Sequence, residues 1–347
     1  MTADQDVNPV PAGEAAAGTM TAIVQDAYGS SDVFRVAEVD KPDIAADEVF
    51  VQVHAAGLDR GTWHFMTGKP YLMRVMGFGL RRPKNRVPGL DVAGVVVAVG
   101  AEVTRFQPGD EVFGIARGSF AEYAAAREVK LAHKPANLSF EQAAVVPISG
   151  STALQAVRDA GRVEAGQTVL VIGASGGVGS YAVQLAKALG AHVTGVSSTA
   201  KVDLVRSIGA DHVLDYTRED FADGGQRYDL ILDIGGNSRL SRLRRALTPT
   251  GTLVIVGGEE GGALTGGFGR SLRAPMLSLF SRQRLTMLTN KEHHRYLDEL
   301  RPLIEAGSVT PAVDQAYPLD EVPAAMRRLE AGQVRGKIAI TVAQVPA

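Results

Sequence analysis

Three features of the sequence predict an α/β chain in which a doubly wound parallel sheet is inserted in a split, mainly antiparallel β-barrel-like domain. From Gln167 on, short apolar runs (TVLVIG, HVTGVSS, HVLDY, YDLILDIGG, GTLVIVGG) alternate with helical segments such as RLSRLRRAL, the pattern of a parallel sheet covered on both faces. The first third of the chain instead runs through short alternating segments broken by Gly and Pro, as compact antiparallel domains do. The end of the chain (VTPAVDQAYPL, KIAITV) returns to that first pattern. The expected organisation is a tail at 1–19, a barrel-like domain at 20–147 and 284–347, and a parallel-sheet domain at 148–283.

The elements follow in order. MTADQDVNPVPAGEAAAG is acidic and rich in small residues, with no basic start and no apolar block, so it reads as a disordered tail rather than a secretory signal. TAIVQD, FRVAEVD and EVFVQVHAAG are the first strands, followed by NRVPGLDVAGVVVAVG, DEVFGI and FAEYAAA. Ser139 caps a helix, with Gln142 at the capping-box position, and STALQAVRDAG starts another. Later helices are expected around Lys291 to Ala306 and in DEVPAAMRRLEAG. Two segments break the pattern. KPYLMRVMGFGLRRPKNRVPG sets Arg74, Arg81, Arg82, Lys84 and Arg86 among Met and Phe, and Gly262 to Ser281 is glycine-rich, then apolar and basic. Each reads as a lid, a dimer contact, a membrane-surface patch, or a solvated basic loop with buried apolar anchors.

Composition removes several classes of function. Apolar residues at 45% and charged residues at 21% are ordinary for a soluble enzyme. A net charge of −2 provides no basic surface for nucleic acid. No apolar run approaches the roughly 20 residues of a membrane span. Cysteine is absent, which fits the cytoplasm and rules out disulfides and cysteine-ligated zinc. The seven histidines include no HxxxH pair, and adjacent His293 and His294 point different ways on a helix, so no metal site is expected.

VLVIGASGGVGSYAVQLAKALG, Val169 to Gly190, is the strongest local signal. Val169, Leu170, Val171 and Ile172 read as a strand buried on both faces. Val178, Ala182, Leu185, Ala186 and Leu189 repeat at helical spacing, and Gly190 is placed to end the helix. Between them stand Gly173, Gly176, Gly177 and Gly179. Glycine permits positive φ and lets backbone approach a ligand, and the new helix offers unpaired N–H groups at the positive end of its dipole. A pyrophosphate suits that position, although tight strand-to-helix turns also use glycine for steric reasons alone. About twenty residues on, in keeping with dinucleotide-binding spacing, HVTGVSS ends in Ser197 and Ser198, with Thr199 and Lys201 following. An NAD site would usually end with a carboxylate; hydroxyls and an ammonium suit a 2′-phosphate, so NADPH is the expected cofactor. The same residues also suit capping of the next helix.

PGLDVAGVVVAVGAEVTRFQPGDEVFG (Pro88 to Gly114), AAVVPISGSTALQA, ASGGVGSYAVQLAKALGAHVTG, SIGADHVLDY, GTLVIVGG and GKIAITV together resemble the medium-chain dehydrogenase/reductase family, specifically its zinc-free quinone oxidoreductase-like branch. The resemblance runs from about residue 20 to the end. It implies a GroES-like catalytic domain holding a Rossmann domain, and a homodimer made by pairing strand edges. Zinc alcohol dehydrogenases carry Cys where this chain has Gly57, and Gly-His-Glu where it has Gly89, Leu90 and Asp91. Their cysteine-rich lobe is also missing, so zinc-assisted alcohol chemistry is not implied. Asp59 stands where the branch usually has Asn, and His64 and Tyr71 are the nearest counterparts of its substrate-contacting tyrosines. Ser198, Lys201 and Tyr216 resemble its 2′-phosphate and adenine contacts, while Tyr216 alone also reads as a sheet-edge aromatic.

The expected function is that of an NADPH-dependent oxidoreductase transferring a hydride directly to a quinone or α,β-unsaturated carbonyl. The alternatives are a zinc-independent alcohol dehydrogenase or carbonyl reductase, and a non-catalytic NADPH-binding protein. Tyr71, His64 and Asp59 are the catalytic candidates, with backbone N–H groups near Gly257 and Gly258 as further donors to the acceptor oxygen. Ser175, Gly176, Gly177 and Val178 are expected along the pyrophosphate, and Thr152 and Gly235 nearer the nicotinamide or its ribose, with Gly257 a further cofactor candidate. Lys337 is a further cofactor candidate, a solvated lysine being its ordinary reading.

Overall fold

In the computed structural model of the protein, residues 18–236, 238–258 and 266–342 are described. β1 (Thr19–Gln25) and β2 (Phe34–Asp40) form an antiparallel pair with Thr19 opposite Asp40. Residues 1–17 of the expected tail lie outside the described residues, and Thr19 already belongs to a strand.

The barrel-like sheet is built on β3 (Glu48–Leu58), which pairs antiparallel with both β4 (Asp91–Val99) and β6 (Tyr123–Arg127). β5 (Glu111–Ile115) and β7 (Leu131–His133) continue it beyond β4. Helix α1 (Arg60–Thr67) follows β3. α2 (Phe140–Ala144) carries the Ser139–Gln142 capping box, and α3 (Pro147–Leu154) leads into the second domain.

That domain contains β8 (Thr168–Ile172), α4 (Gly177–Ala188), β9 (His192–Ser197), α5 (Val202–Ser207) and β10 (His212–Asp215). β11 (Tyr228–Asp233), α6 (Leu240–Ala246), β12 (Leu247–Ile255), α7 (Phe268–Ser278) and β13 (Arg284–Met287) complete it. The six strands are parallel in the order β10-β9-β8-β11-β12-β13, the doubly wound arrangement. Alternation along β8 divides the core. Val169 and Val171 pack with Tyr181 and Leu185 on one face, Leu170 and Ile172 with Leu243 and Ile255 on the other. The expected boundary at 283/284 is corrected by this sheet: Arg284–Met287 pairs with β12, so the parallel-sheet domain extends through Met287.

The chain returns through α8 (His294–Glu305), β14 (Val313–Pro318), α9 (Val322–Glu330) and β15 (Lys337–Thr341). β15 runs antiparallel to β3, with Ala339 opposite Gly57, and β14 parallel to β15. The crossovers from β8 and to β11 leave a crevice at their C-terminal ends, where doubly wound sheets bind ligands. The start of β15 meets that crevice.

Candidate active site

The glycine turn between β8 and α4 forms the site's centre. Gly173 takes φ +87°, a conformation glycine adopts without cost. A Cβ on Gly179 would stand 2.1 Å from the Gly173 carbonyl oxygen, so the helix reaches the strand end only because that side chain is missing. The helix ladder starts where Ser180 N donates to Gly176 O at 2.9 Å, which leaves the N–H groups of Gly177, Val178 and Gly179 outside it. With the dipole behind them, they make an anion cradle that fits a pyrophosphate. Buried Ser175 lies beside it, its carbonyl accepting from Gly336 N at 2.8 Å.

At the end of β9, the Ser198 side chain makes no capping bond, so its hydroxyl is not spent on the next turn. Lys201 Nζ donates to the carbonyls of Gly332 and Val334 at 2.7 Å each, and burial draws its pKa below the ordinary lysine value. An ammonium has three donors, so one remains for an anion. Tyr216 is largely exposed on the same rim. The hydroxyls of Thr199 and Thr217 donate to the Asp215 carboxylate, and with Arg218 they hold it below the usual carboxylate range. Sequence reasoning passed over Asp215. It is visible in HVLDY, but only the parallel pairing sets it opposite Ser197.

Beneath the cradle lies a closed ion pair. Asp91 Oδ2 is 3.2 Å from Lys337 Nζ, both side chains being at most 3% exposed, and Asp91 Oδ1 accepts from Ile148 N at 2.9 Å. The solvated reading of Lys337 is thereby corrected. Its stem lies against the cradle, where a Cβ on Gly177 would meet its Cδ at 2.8 Å and Ser149 Oγ at 2.9 Å. Thr152 is buried on the same helix as Ser149. Asp59, 7% exposed, caps α1: its Oδ1 accepts from Thr62 N at 2.8 Å and from the Thr62 hydroxyl at 3.2 Å. Its Oδ2 is buried with no hydrogen-bond partner among the described residues. Burial pushes the Asp91 carboxyl up to about 7 against the pull of Lys337, with the Asp59 charge adding to the rise.

A second pair closes the ends of β11 and β12. Fully buried Asp233 meets Arg270 of α7, whose guanidinium also donates to Ser238 O at 2.8 Å and Gly257 O at 3.0 Å. Burial raises the Asp233 pKa and Arg270 opposes the rise. Arg270 was not singled out from the sequence; its only signal was the basic, apolar character of Gly262 to Ser281. Gly235 N donates to Ile172 O at 3.1 Å, which brings its turn against Gly173. Gly257 N donates to Asp233 O at 3.2 Å, so this N–H, expected as a donor to the acceptor oxygen, is already taken.

His64 and Tyr71 stand apart from this floor. His64 Nδ1 lies 2.8 Å from the Lys69 carbonyl, so Nδ1 carries the proton and the neutral ring offers only an acceptor at Nε2. It is therefore an acid only as imidazolium. Tyr71 is exposed, with the Arg74 guanidinium 4.7 Å from its ring centroid. Among the described residues, no recorded contact joins either side chain to Asp59, Lys337 or the cradle. Gly57 faces Asp91 across the β3–β4 ladder, where a Cβ would strike Asp91 Oδ2 at 2.9 Å. No three His, Asp or Glu side chains among the described residues converge as a metal site.

Comparison with known proteins agrees with this architecture. Residues 45–136 match the alcohol dehydrogenase GroES-like domain family, and residues 208–340 match a family described as zinc-binding dehydrogenase. The chain is 35% identical to 2-methylene-furan-3-one reductase of Solanum lycopersicum over 328 residues, 90% of this chain and 76% of that protein. It is also 35% identical to a chloroplastic NADPH-dependent alkenal/one oxidoreductase of Arabidopsis thaliana over 344 residues, 92% of this chain and 79% of that one. The Escherichia coli quinone oxidoreductase complexed with NADPH superposes with a TM-score of 0.79 at 26% identity, covering 92% of this chain and 99% of that chain. The fold, the glycine cradle and these relatives together establish that the chain belongs to the medium-chain dehydrogenase/reductase superfamily.

Proposed function

We propose that the protein is an NADPH-dependent oxidoreductase that passes a hydride directly to a quinone or α,β-unsaturated carbonyl without zinc. One observation carries this reading: the positions that hold ligands in zinc alcohol dehydrogenases are occupied by Gly57, Leu90 and a carboxylate committed to Lys337. Without a Lewis acid, an acceptor that spreads its developing charge is favoured over a simple ketone. The relatives' names, which specify an enone, an alkenal and a quinone, support the same class.

Bound NADPH supplies the hydride. The N–H groups of Gly177, Val178 and Gly179 hold the pyrophosphate. Ser198 and the remaining donor of Lys201 take the 2′-phosphate, with Tyr216 at the adenine. Thr152, Gly235 and Gly257 line the nicotinamide end, and Asp59 Oδ2 offers a buried acceptor near it. The Tyr71 hydroxyl or the His64 imidazolium donates to the acceptor oxygen, each donor worth roughly 3 kcal/mol when aligned. A homodimer that pairs strand edges of two parallel-sheet domains completes the proposal, that sheet having β10 and β13 at its edges. The cysteine-free composition suits the cytoplasm, and no described helix is long and apolar enough to cross a membrane.

The test is NADPH and NADH consumption against a panel containing a quinone, an enone and an aldehyde, with a chelator present. Turnover of quinone or enone with NADPH is expected. Inertness until zinc is supplied, or binding of neither dinucleotide, refutes the reading; preference for the aldehyde favours a carbonyl reductase. Lys201→Glu should weaken NADPH binding by roughly 2 kcal/mol, about thirtyfold, and leave NADH binding nearly unchanged. Equal losses for both would place the 2′-phosphate elsewhere.

A further inference from the structure

The turn between α1 and β4 carries an unusual surface. Among the described residues, six of the exposed large apolar side chains lie within ten positions: Tyr71, Leu72, Val75, Met76, Phe78 and Leu80. Val75, Met76 and Leu80 protrude furthest, at 72%, 62% and 70% exposed. Arg81, Arg82 and Lys84 follow at once, and the sequence holds no acidic residue between Asp59 and Asp91. Among the described residues Arg81, Arg82 and Lys84 form no ion pair, whereas Arg86 is paired with Asp26 at 2.7 Å and Arg74 donates to the Gly68 carbonyl at 2.8 Å. Inward-facing groups thus fix the base of the turn. The Tyr28 hydroxyl donates to the Gly79 carbonyl at 2.7 Å, and Gly79, at φ +108°, stands where a Cβ would lie 2.1 Å from Arg82 O. The base is anchored, and the tip is apolar with a cationic shoulder.

We propose that this turn docks the protein on an anionic lipid surface, Val75, Met76 and Leu80 entering the headgroup boundary while Arg81, Arg82 and Lys84 meet the lipid phosphates. Two observations select a bilayer over a protein partner. The apolar side chains form a protruding knob rather than a groove, and a knob of this kind is buried most simply by a deformable apolar layer. The charge is of one sign and sits beside the apolar tip, the arrangement that anionic leaflets attract. The turn also carries Tyr71, so docking would set the proposed site beside the phase that holds lipophilic acceptors. The inference does not depend on the reaction proposed above, because its test reads no turnover.

The full-length protein is sedimented with vesicles of phosphatidylcholine alone and of phosphatidylcholine mixed with phosphatidylglycerol, at low and high salt. Binding is expected only to the mixed vesicles, weakening with salt. Arg81→Gln, Arg82→Gln and Lys84→Gln should each lower the partition about fivefold. The combined Val75→Ser, Met76→Ser and Leu80→Ser variant should abolish it while melting at the temperature of the parent, since these side chains are exposed. No sedimentation, equal sedimentation with both vesicle types, or sedimentation unaffected by the substitutions overturns the proposal. Self-association in solution that the serine variant dissolves, without vesicle binding, also overturns it and assigns the knob to contact between copies of the chain.

Discussion

Asp91 meets Lys337 as one point charge meets another, whereas Asp233 is held by the fork of Arg270. The first pair joins residues 246 positions apart and fastens β4 to the start of β15 beneath the cradle. The second joins residues 37 apart within the parallel-sheet domain. Around Lys337 the only demand is for charge, and the contact with Gly177 leaves room for a slim stem. At the ends of β11 and β12 two carbonyls also need donors, and the fixed fork of the Arg270 guanidinium reaches the carboxylate and both carbonyls at once. The difference teaches that a buried pair takes its cation from the unpaired backbone around it as much as from the carboxylate. At Asp91 burial outweighs the pull of Lys337, and with the Asp59 charge adding to the rise the carboxyl is driven up to about 7.

The strongest way to break this contrast is to strand one charge. Lys337→Met removes the cation and should cost about 1–3 kcal/mol, read by urea unfolding, the abandoned carboxyl neutralising itself by taking up a proton. Asp91→Asn stands in for the protonated carboxyl and should cost less, roughly 1 kcal/mol or under at about pH 5, where Asp91 already holds its proton. Equal losses at that pH would mean that Asp91 is ionised in the parent. Arg270→Lys keeps the charge and removes the fork; the orphaned carbonyls should cost about 1–3 kcal/mol. A lysine tolerated there would erase the distinction between the two pairs. The smallest effect is a slope. Because the folded Asp91 pKa is raised from 3.8 to about 7, the native state binds the extra proton between those values. This group's contribution is therefore fully present at low pH and is lost as pH rises through about 7, with no further change above. Asp91→Asn should remove that part of the stability–pH curve; an unchanged slope would place the raised pKa elsewhere.

The strand, glycine turn and helix of Val169–Gly190 were legible in the sequence because their signals are local. A β-branched run, four glycines and a helical repeat follow one another within Val169–Gly190, and each restricts backbone geometry without help from distant residues. The ion pairs were not legible, because their partners lie far apart in the sequence and no local pattern says which side chains meet. Lys337 follows a glycine at a strand start, which reads as solvent until β3 and the cradle enclose it. β13 was misassigned because a four-residue edge strand shows little periodicity and its partner, β12, lies across a long excursion. The direction of the His64 proton depended on the Lys69 carbonyl, a backbone group that residue types do not reveal.

The bond from Gly336 N to Ser175 O, with Lys337 behind it, also sets an order of assembly. A nascent chain that has released α4 from the ribosome still lacks the piece that buttresses its glycine turn until β15 emerges. Tight dinucleotide capture should therefore wait for β15, and a message cut short before it should yield a polypeptide that retains its parallel sheet but grips a nucleotide poorly.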